Sequence, residues 1–383
     1  MNKFLISLAT VVAFALSGFA AHADGHEGGV KVSGFIQQII GAGDKVDGGI
    51  TEKFTRFGFS ADTTTDNGWT VGGSMNLEMG NLADNANTGL SAYGPTNNNM
   101  YIQTDNATIS IGNTANAASL LIPRVGAMVP GSGHDGGYQF LFDGGNLASQ
   151  GVGFAEAYYA MSASSVTIQA PAINGISVAG TYTPSMEFNS ADGINRRATD
   201  LAPEHGETAH IAAAISGEFD GMSYTLGVAT INGNSASLIN DAANNDLASV
   251  TAAFRGTMGN ISVGAHFFNN GDSFGNSGDT VKAEHSGYTV AGEYVMGNIT
   301  VGIGYAKQEL VRGTAAQAVA TTLTTANAGN VRVDTVTYFG IGYSLGGGVN
   351  TYVQLNNLDH SDGDVATVEA DPTVVFAGIS LGF

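Results

Sequence analysis

Apolar and polar residues take turns along most of this chain. In Thr373–Phe383 one face holds Val375, Ala377, Ile379, Leu381 and Phe383, and the other Val374, Phe376, Gly378, Ser380 and Gly382. Trp69, Val71, Met75, Leu77 and Met79 stand opposite Thr70, Ser74, Asn76 and Glu78. Ile299, Val301, Ile303 and Tyr305 stand opposite Thr300, Gly302, Gly304 and Ala306. Similar runs recur around Phe267, Phe339 and Val353, whereas a 3.6-residue repeat is nearly absent. A period of two is the mark of strands with chemically distinct faces.

The pattern predicts strands over 30–41, 51–63, 69–79, 98–105, 108–114, 164–170, 176–184, 208–219, 222–231, 247–258, 261–269, 283–296, 299–310, 331–345, 349–358 and 372–383. Tight connections such as Asp66-Asn67-Gly68, Asp220-Gly221, Gly259-Asn260, Gly297-Asn298 and Gly346-Gly347-Gly348 suit hairpins that need positive φ. Longer Asn/Asp/Gly-rich stretches, among them Asn81–Pro95, Asn232–Asp246, Val311–Asn330 and Asp359–Asp371, alternate with them. A soluble β-sandwich also alternates, but short and long connections in turn are the habit of outer-membrane barrels. The expected fold is all-β: a transmembrane antiparallel barrel of about 16 strands, whose even number suits a single-chain bacterial barrel. Phe59, Trp69, Tyr182, Tyr224, Phe267, Tyr294, Tyr305, Tyr343 and Phe383 fall near strand ends on the outward face, where amphipathic rings form interfacial girdles.

The first residues read as a targeting device. Lys3 precedes the mostly apolar run Phe4–Leu16, and Ala21-His22-Ala23 supplies small residues for a peptidase, so residues 1–23 are expected to be a cleaved signal peptide. The barrel domain then covers 24–383. No later apolar run approaches the length of a membrane-spanning helix. Cysteine is absent, which removes thiol catalysis and thiolate metal sites. Glycine numbers 55 and proline 7, a balance that favours turn-rich strands over low-complexity disorder. The formal charge of −20 disfavours nucleic acid. An acidic lumen prefers cations, although acidic residues also serve simply to keep long loops soluble.

The ending Ile379-Ser380-Leu381-Gly382-Phe383, the early hairpin Phe57–Trp69, and Thr108–Thr114 followed by one long insertion resemble a Gram-negative general diffusion porin of the trimeric, sixteen-stranded type. The resemblance implies a passive channel for small hydrophilic solutes and ions. It implies a homotrimer set in outer-membrane lipid, no enzymatic activity, and a terminal Phe read by the barrel-insertion machinery. It also implies that the insertion, roughly 115–163, folds inward and narrows the pore, with its carboxylates facing basic residues on the opposite wall.

On that loop the candidates are Asp135, Asp143 and Glu156, the first two within glycine-rich turns whose chemistry alone also favours Asp. Arg124 lies inside the insertion and is placed to brace it. On the wall, phase turns Arg56 and Arg255 inward, together with Glu78 and Glu293. An inward Arg meets water, whereas one facing lipid at mid-depth costs about 2–4 kcal/mol. A structural ion pair tying loop to wall is the other reading of both arginines. The chain is poor in the basic clusters of the family, so a strong arginine ladder is not expected.

Other chemistries find little support. His205 and His210 are five apart with no helix to align them as zinc ligands and read as loop or lumen residues. Gly340-Ile341-Gly342 lies within a strand and cradles no phosphate. The acidic loops Asp272–Asp279 and Asp359–Asp364 offer oxygens for calcium without the spacing of a helix-loop-helix site. No cofactor is expected. The competing reading is a secreted or surface-attached acidic β-rich adhesin or structural protein, which needs export and acidity but neither a terminal Phe nor alternating loop lengths.

Overall fold

The computed structural model describes residues 30–43, 50–80, 94–132, 164–185, 204–236, 245–273, 282, 284–311, 331–362 and 373–383. The segment read as a signal peptide lies outside the described residues. Sixteen strands follow in chain order. The first eight are β1 (Lys31–Gly43), β2 (Ile50–Thr64), β3 (Thr70–Gly80), β4 (Gly94–Gln103), β5 (Thr108–Asn113), β6 (Ser164–Gln169), β7 (Ile176–Ser185) and β8 (Glu204–Phe219). The rest are β9 (Met222–Ala236), β10 (Leu247–Met258), β11 (Ile261–Gly271), β12 (Glu284–Met296), β13 (Ile299–Val311), β14 (Val331–Gly346), β15 (Val349–Asp362) and β16 (Thr373–Gly382).

Each strand pairs antiparallel with its neighbours in sequence, and β1 pairs with β16, so the sheet closes on itself. The seam is in register from Phe35↔Gly382 to Gly43↔Val374. It is finished by Gly34 N donating to Phe383 O at 2.7 Å and Phe383 N donating to Gly34 O at 3.0 Å. Closure satisfies strand edges internally, which is what permits a sheet to cross lipid. No helix among the described residues is long and apolar enough to cross a membrane; the strands do so.

Alternation in the sequence becomes two faces of the wall. Ile303, Val353 and Ile379 are 58%, 52% and 46% exposed on the outside, while their chain neighbours Gly302 and Gln354 are buried on the inside. Trp69, Tyr224, Tyr294, Tyr343 and Phe383 lie within a few residues of the short turns, and Tyr182, Phe267, Tyr288 and Tyr305 lie toward the other rim. Two-residue connections join β8 to β9, β10 to β11, β12 to β13 and β14 to β15. At Asp220-Gly221 both residues have positive φ, 50° and 76°, the mirror-image turn whose twist matches a hairpin.

The inner face departs from the expected polar or small character. Toward the long-connection rim it carries Ile39, Ile231, Leu247, Phe268, Val336, Val374 and Phe376, all buried. Four of its aromatic rings lie along the wall, each over a glycine directly opposite on the next strand. Phe268 covers Gly287, Tyr338 covers Gly304, Tyr352 covers Gly378 and Tyr101 covers Gly72. Glycine there gives the ring a flat bed, so a bulky side chain occupies wall rather than passage.

Candidate pore constriction

Residues 114–132, the described part of the insertion after β5, run along the inner wall. Its root is held by two threonines. Thr181 Oγ1 accepts from Ala117 N at 2.8 Å, Thr167 Oγ1 donates to Ala115 O at 3.0 Å, and the two hydroxyls lie 2.9 Å apart. A short helix, α1 (Ala117–Leu121), begins where Asn116 Oδ1 accepts from Ser119 N at 2.8 Å. That bond satisfies one of the free amides of the first turn. A 3-10 turn, Gly126–Met128, follows.

Ala117, Ala118, Leu121, Ile122, Val125, Met128 and Val129 are all buried. Burial of each larger side chain among them is worth about 1.5–3 kcal/mol over exposure. The wall receives them because its lumen-facing residues are small. Ala179, Ala212, Ala214 and Ala229 are buried in the same cluster on β7, β8 and β9. Farther round, glycines allow backbone to touch backbone. A Cβ at Gly227 would stand 2.6 Å from Leu121 O, and one at Gly302 would stand 2.8 Å from Val129 Cα. One at Gly264 would stand 3.0 Å from both Met128 Sδ and Val125 Cγ2, and Gly340 lies against Pro130 O. Gln354 Nε2 then donates to Ser132 Oγ at 2.7 Å, in a buried bond to β15. The segment therefore follows the wall from β6 round to β15 on a track of alanine and glycine.

Arg255 and Glu293 form an ion pair at 2.6 Å across β11, bridging β10 to β12. Arg255 is in register with Gly264 and Glu293 with Gly302, the two glycines on which residues 125–130 rest. The pair ties wall to wall beside the loop rather than loop to wall. Arg56 on β2 stands in register with Glu78 on β3, and its guanidinium lies 6.0 Å from the Phe35 ring centroid.

β2 and β10 are eight strands apart in a ring of sixteen, so Arg56 and Arg255 belong to opposite walls and not to one basic surface facing the loop. Arg124 sits in the loop, half-buried between the buried Ile122 and Val125. Asp135, Asp143 and Glu156 lie outside the described residues. His210 is on the inner face of β8 and 1% exposed. Among the described residues no three His, Asp or Glu side chains converge on a possible metal site.

The seat of the loop is what the sequence reading missed. One signal was available: 117, 121, 125 and 129 are apolar at four-residue spacing, a helical stripe inside a stretch that lacks strand alternation.

The chain matches the Gram-negative porin family over residues 8–363. No curated protein matches. Among solved structures, a loop-deletion mutant of OmpT, an outer membrane protein of Vibrio cholerae, is 14% identical with a TM-score of 0.57. The match covers 94% of this chain and 100% of that one. Two mutants of the Rh. blastica porin are 16% and 18% identical, each with a TM-score of 0.55 and coverage of 93% of this chain and 100% of theirs.

Proposed function

This chain belongs to the Gram-negative porin family and is a passive diffusion channel of the outer membrane, and on that footing we propose that it passes small hydrophilic solutes and ions as a homotrimer with a mild preference for cations. The observation that carries the reading is the seated segment 115–132, which brings chain into the interior of a closed barrel from β6 to β15. On this reading Asp135, Asp143 and Glu156, which follow the segment in sequence, serve as the constriction carboxylates. Both inward arginines named above stand beside a glutamate, Arg255 with Glu293 at 2.6 Å and Arg56 across from Glu78. Pairing with Glu293 neutralises Arg255 locally and leaves the loop carboxylates to set the sign of the field, within a chain of net charge −20. Polar solutes align in such a field, while apolar ones disrupt the ordered water. Members of the family are channels rather than enzymes, and no catalysis is assigned. Calcium on Asp272–Asp279 or Asp359–Asp364 remains outside the reading.

Reversal potentials in planar bilayers under a salt gradient test the charge argument. The native channel should favour cations, and Asp135→Asn with Asp143→Asn should weaken that preference. An anion-preferring native channel, or an unchanged potential in the double variant, refutes it. Crosslinking in detergent should give a trimer.

A further inference from the structure

The track of alanine and glycine under residues 117–132 gives close contact, but small side chains do not fix how far round the wall the segment travels. Directional contacts do, and residues 129–132 have a set of them. Val129-Pro130-Gly131-Ser132 is a tight turn in which Ser132 N donates to Val129 O at 3.0 Å. Gly131 has a φ of 88°, so proline and glycine fill the two central places that a type II turn favours. Pro130 lies against Gly340 and Gly342 of β14, and Ser132 Oγ accepts from Gln354 Nε2 of β15. The remaining contact is with a ring. A Cβ at Gly131 would stand 2.7 Å from Tyr352 Cδ2 and 2.9 Å from Tyr352 Cε2.

Tyr352 is on β15, yet it reaches β1. Gly378 of β16 is directly in register with it, and a Cβ there would overlap the Cζ and the hydroxyl of the tyrosine. Glycine leaves the space open, so the ring crosses β16 and its hydroxyl accepts from Gln37 Nε2 of β1 at 2.9 Å. Phe376 stands edge-on to the ring, with centroids 6.4 Å apart and planes at 90°. One side chain thus touches the turn of the loop and bridges the two strands that close the barrel. We propose that Tyr352 is a positioning residue that stops the inward loop at Gly131, and that its bond to Gln37 makes the place of the loop depend on closure of the β1–β16 seam. The ring bars further travel of the turn, and the hydroxyl holds the ring in the barring position. Until β1 meets β16 the hydroxyl lacks Gln37, and the stop is incomplete. The inference rests on reading residues 115–132 as a bound of the passage, and not on the ion preference.

Single-channel recording in planar bilayers tests it. Tyr352→Phe keeps the ring and loses the hydroxyl, and Gln37→Leu removes the partner on β1. In each, the open current should become noisier and the full conductance level should break into sub-levels. The double variant should be no noisier than either single one, because both cut the same link. Additive effects overturn the proposal, since Gln37 would then act by another route than Tyr352. Native recordings in either single variant overturn it as well, and so does a lower midpoint of heat unfolding accompanied by native current, which marks a bond of the wall alone. Should Gln37→Leu not assemble, Gln37→Ser, too short to reach the hydroxyl, takes its place. Gly302→Ala, which crowds the loop elsewhere, separates two kinds of failure. If conductance responds to Gly302→Ala but not to Tyr352→Phe, only the role of Tyr352 falls; if it responds to neither, the loop does not bound the passage and both readings fall.

Discussion

Gly302→Ala adds a single methyl group to the wall, at a place where the loop backbone rests directly on it. The new Cβ would stand 2.8 Å from Val129 Cα, 3.0 Å from Met128 O and 3.0 Å from Pro130 Cδ. Ordinary contact begins at 3.4 Å, so the nearest approach is short by more than half an ångström, and two of the three atoms are backbone. A flexible side chain cannot swing away to absorb this. The sheet behind Gly302 is held by ladders to β12 and β14, so the loop must lift toward the lumen. Overpacking of this kind costs about 1–3 kcal/mol.

Single-channel conductance in planar bilayers reads the displacement, and it should fall. Gly292→Ala supplies the control. It too is a glycine in the sheet, on β12, but its new Cβ would meet only Ser262 O, at 3.6 Å. Conductance in that variant should be native. Equal conductance of Gly302→Ala and the native channel would mean that the loop does not bound the passage at this point, and the reasoning about the track would be wrong.

Other consequences follow from the same wall. Gln354→Leu removes a buried donor to Ser132 Oγ and should cost about 1–3 kcal/mol, seen as a lower unfolding midpoint and larger open-channel current fluctuations; a native midpoint refutes it. Arg255→Gln removes one inward positive charge and leaves Glu293 without its ion-pair partner. The reversal potential should move further toward cation preference. A shift toward anions contradicts the placement. Deleting Phe383 takes away both seam hydrogen bonds to Gly34 and the ring that covers it. Less protein should reach the outer-membrane fraction, and undiminished yield argues against a role for the seam in assembly.

Sixteen strands were legible because lipid on one side imposes a strict rule on every second residue. The rule lapses where strands rise beyond lipid. β8 begins at Glu204, β9 runs to Ala236 and β15 to Asp362, each past the last clear alternation, since backbone pairing continues after side chains stop being sorted by solvent. The inner wall was harder to read. Val374 and Phe376 looked like exceptions to a polar lumen, and both prove to be buried where the inner face turns apolar toward the long-connection rim.

The charged site was read residue by residue from strand phase, which tells in from out but not where on the ring a strand falls. Arg56 and Arg255 share a phase and stand on opposite walls. The buried side of the loop was visible only as spacing, at Ala117, Leu121, Val125 and Val129, of which the helix holds the first two. The glycine track was visible only as small inward residues whose partner was not yet known.

Nearly every pairing in this barrel joins segments adjacent in sequence, and these can form as soon as each hairpin is made. The union of β1 with β16 is different, because it spans almost the whole chain. Its closure entropy grows only slowly with that length, yet it cannot begin until the final residues exist, and topology of this kind retards folding. Two unpaired edges must therefore wait, sticky and unprotected, through all earlier steps. The contact order of one seam thus sets when the molecule stops being an open sheet.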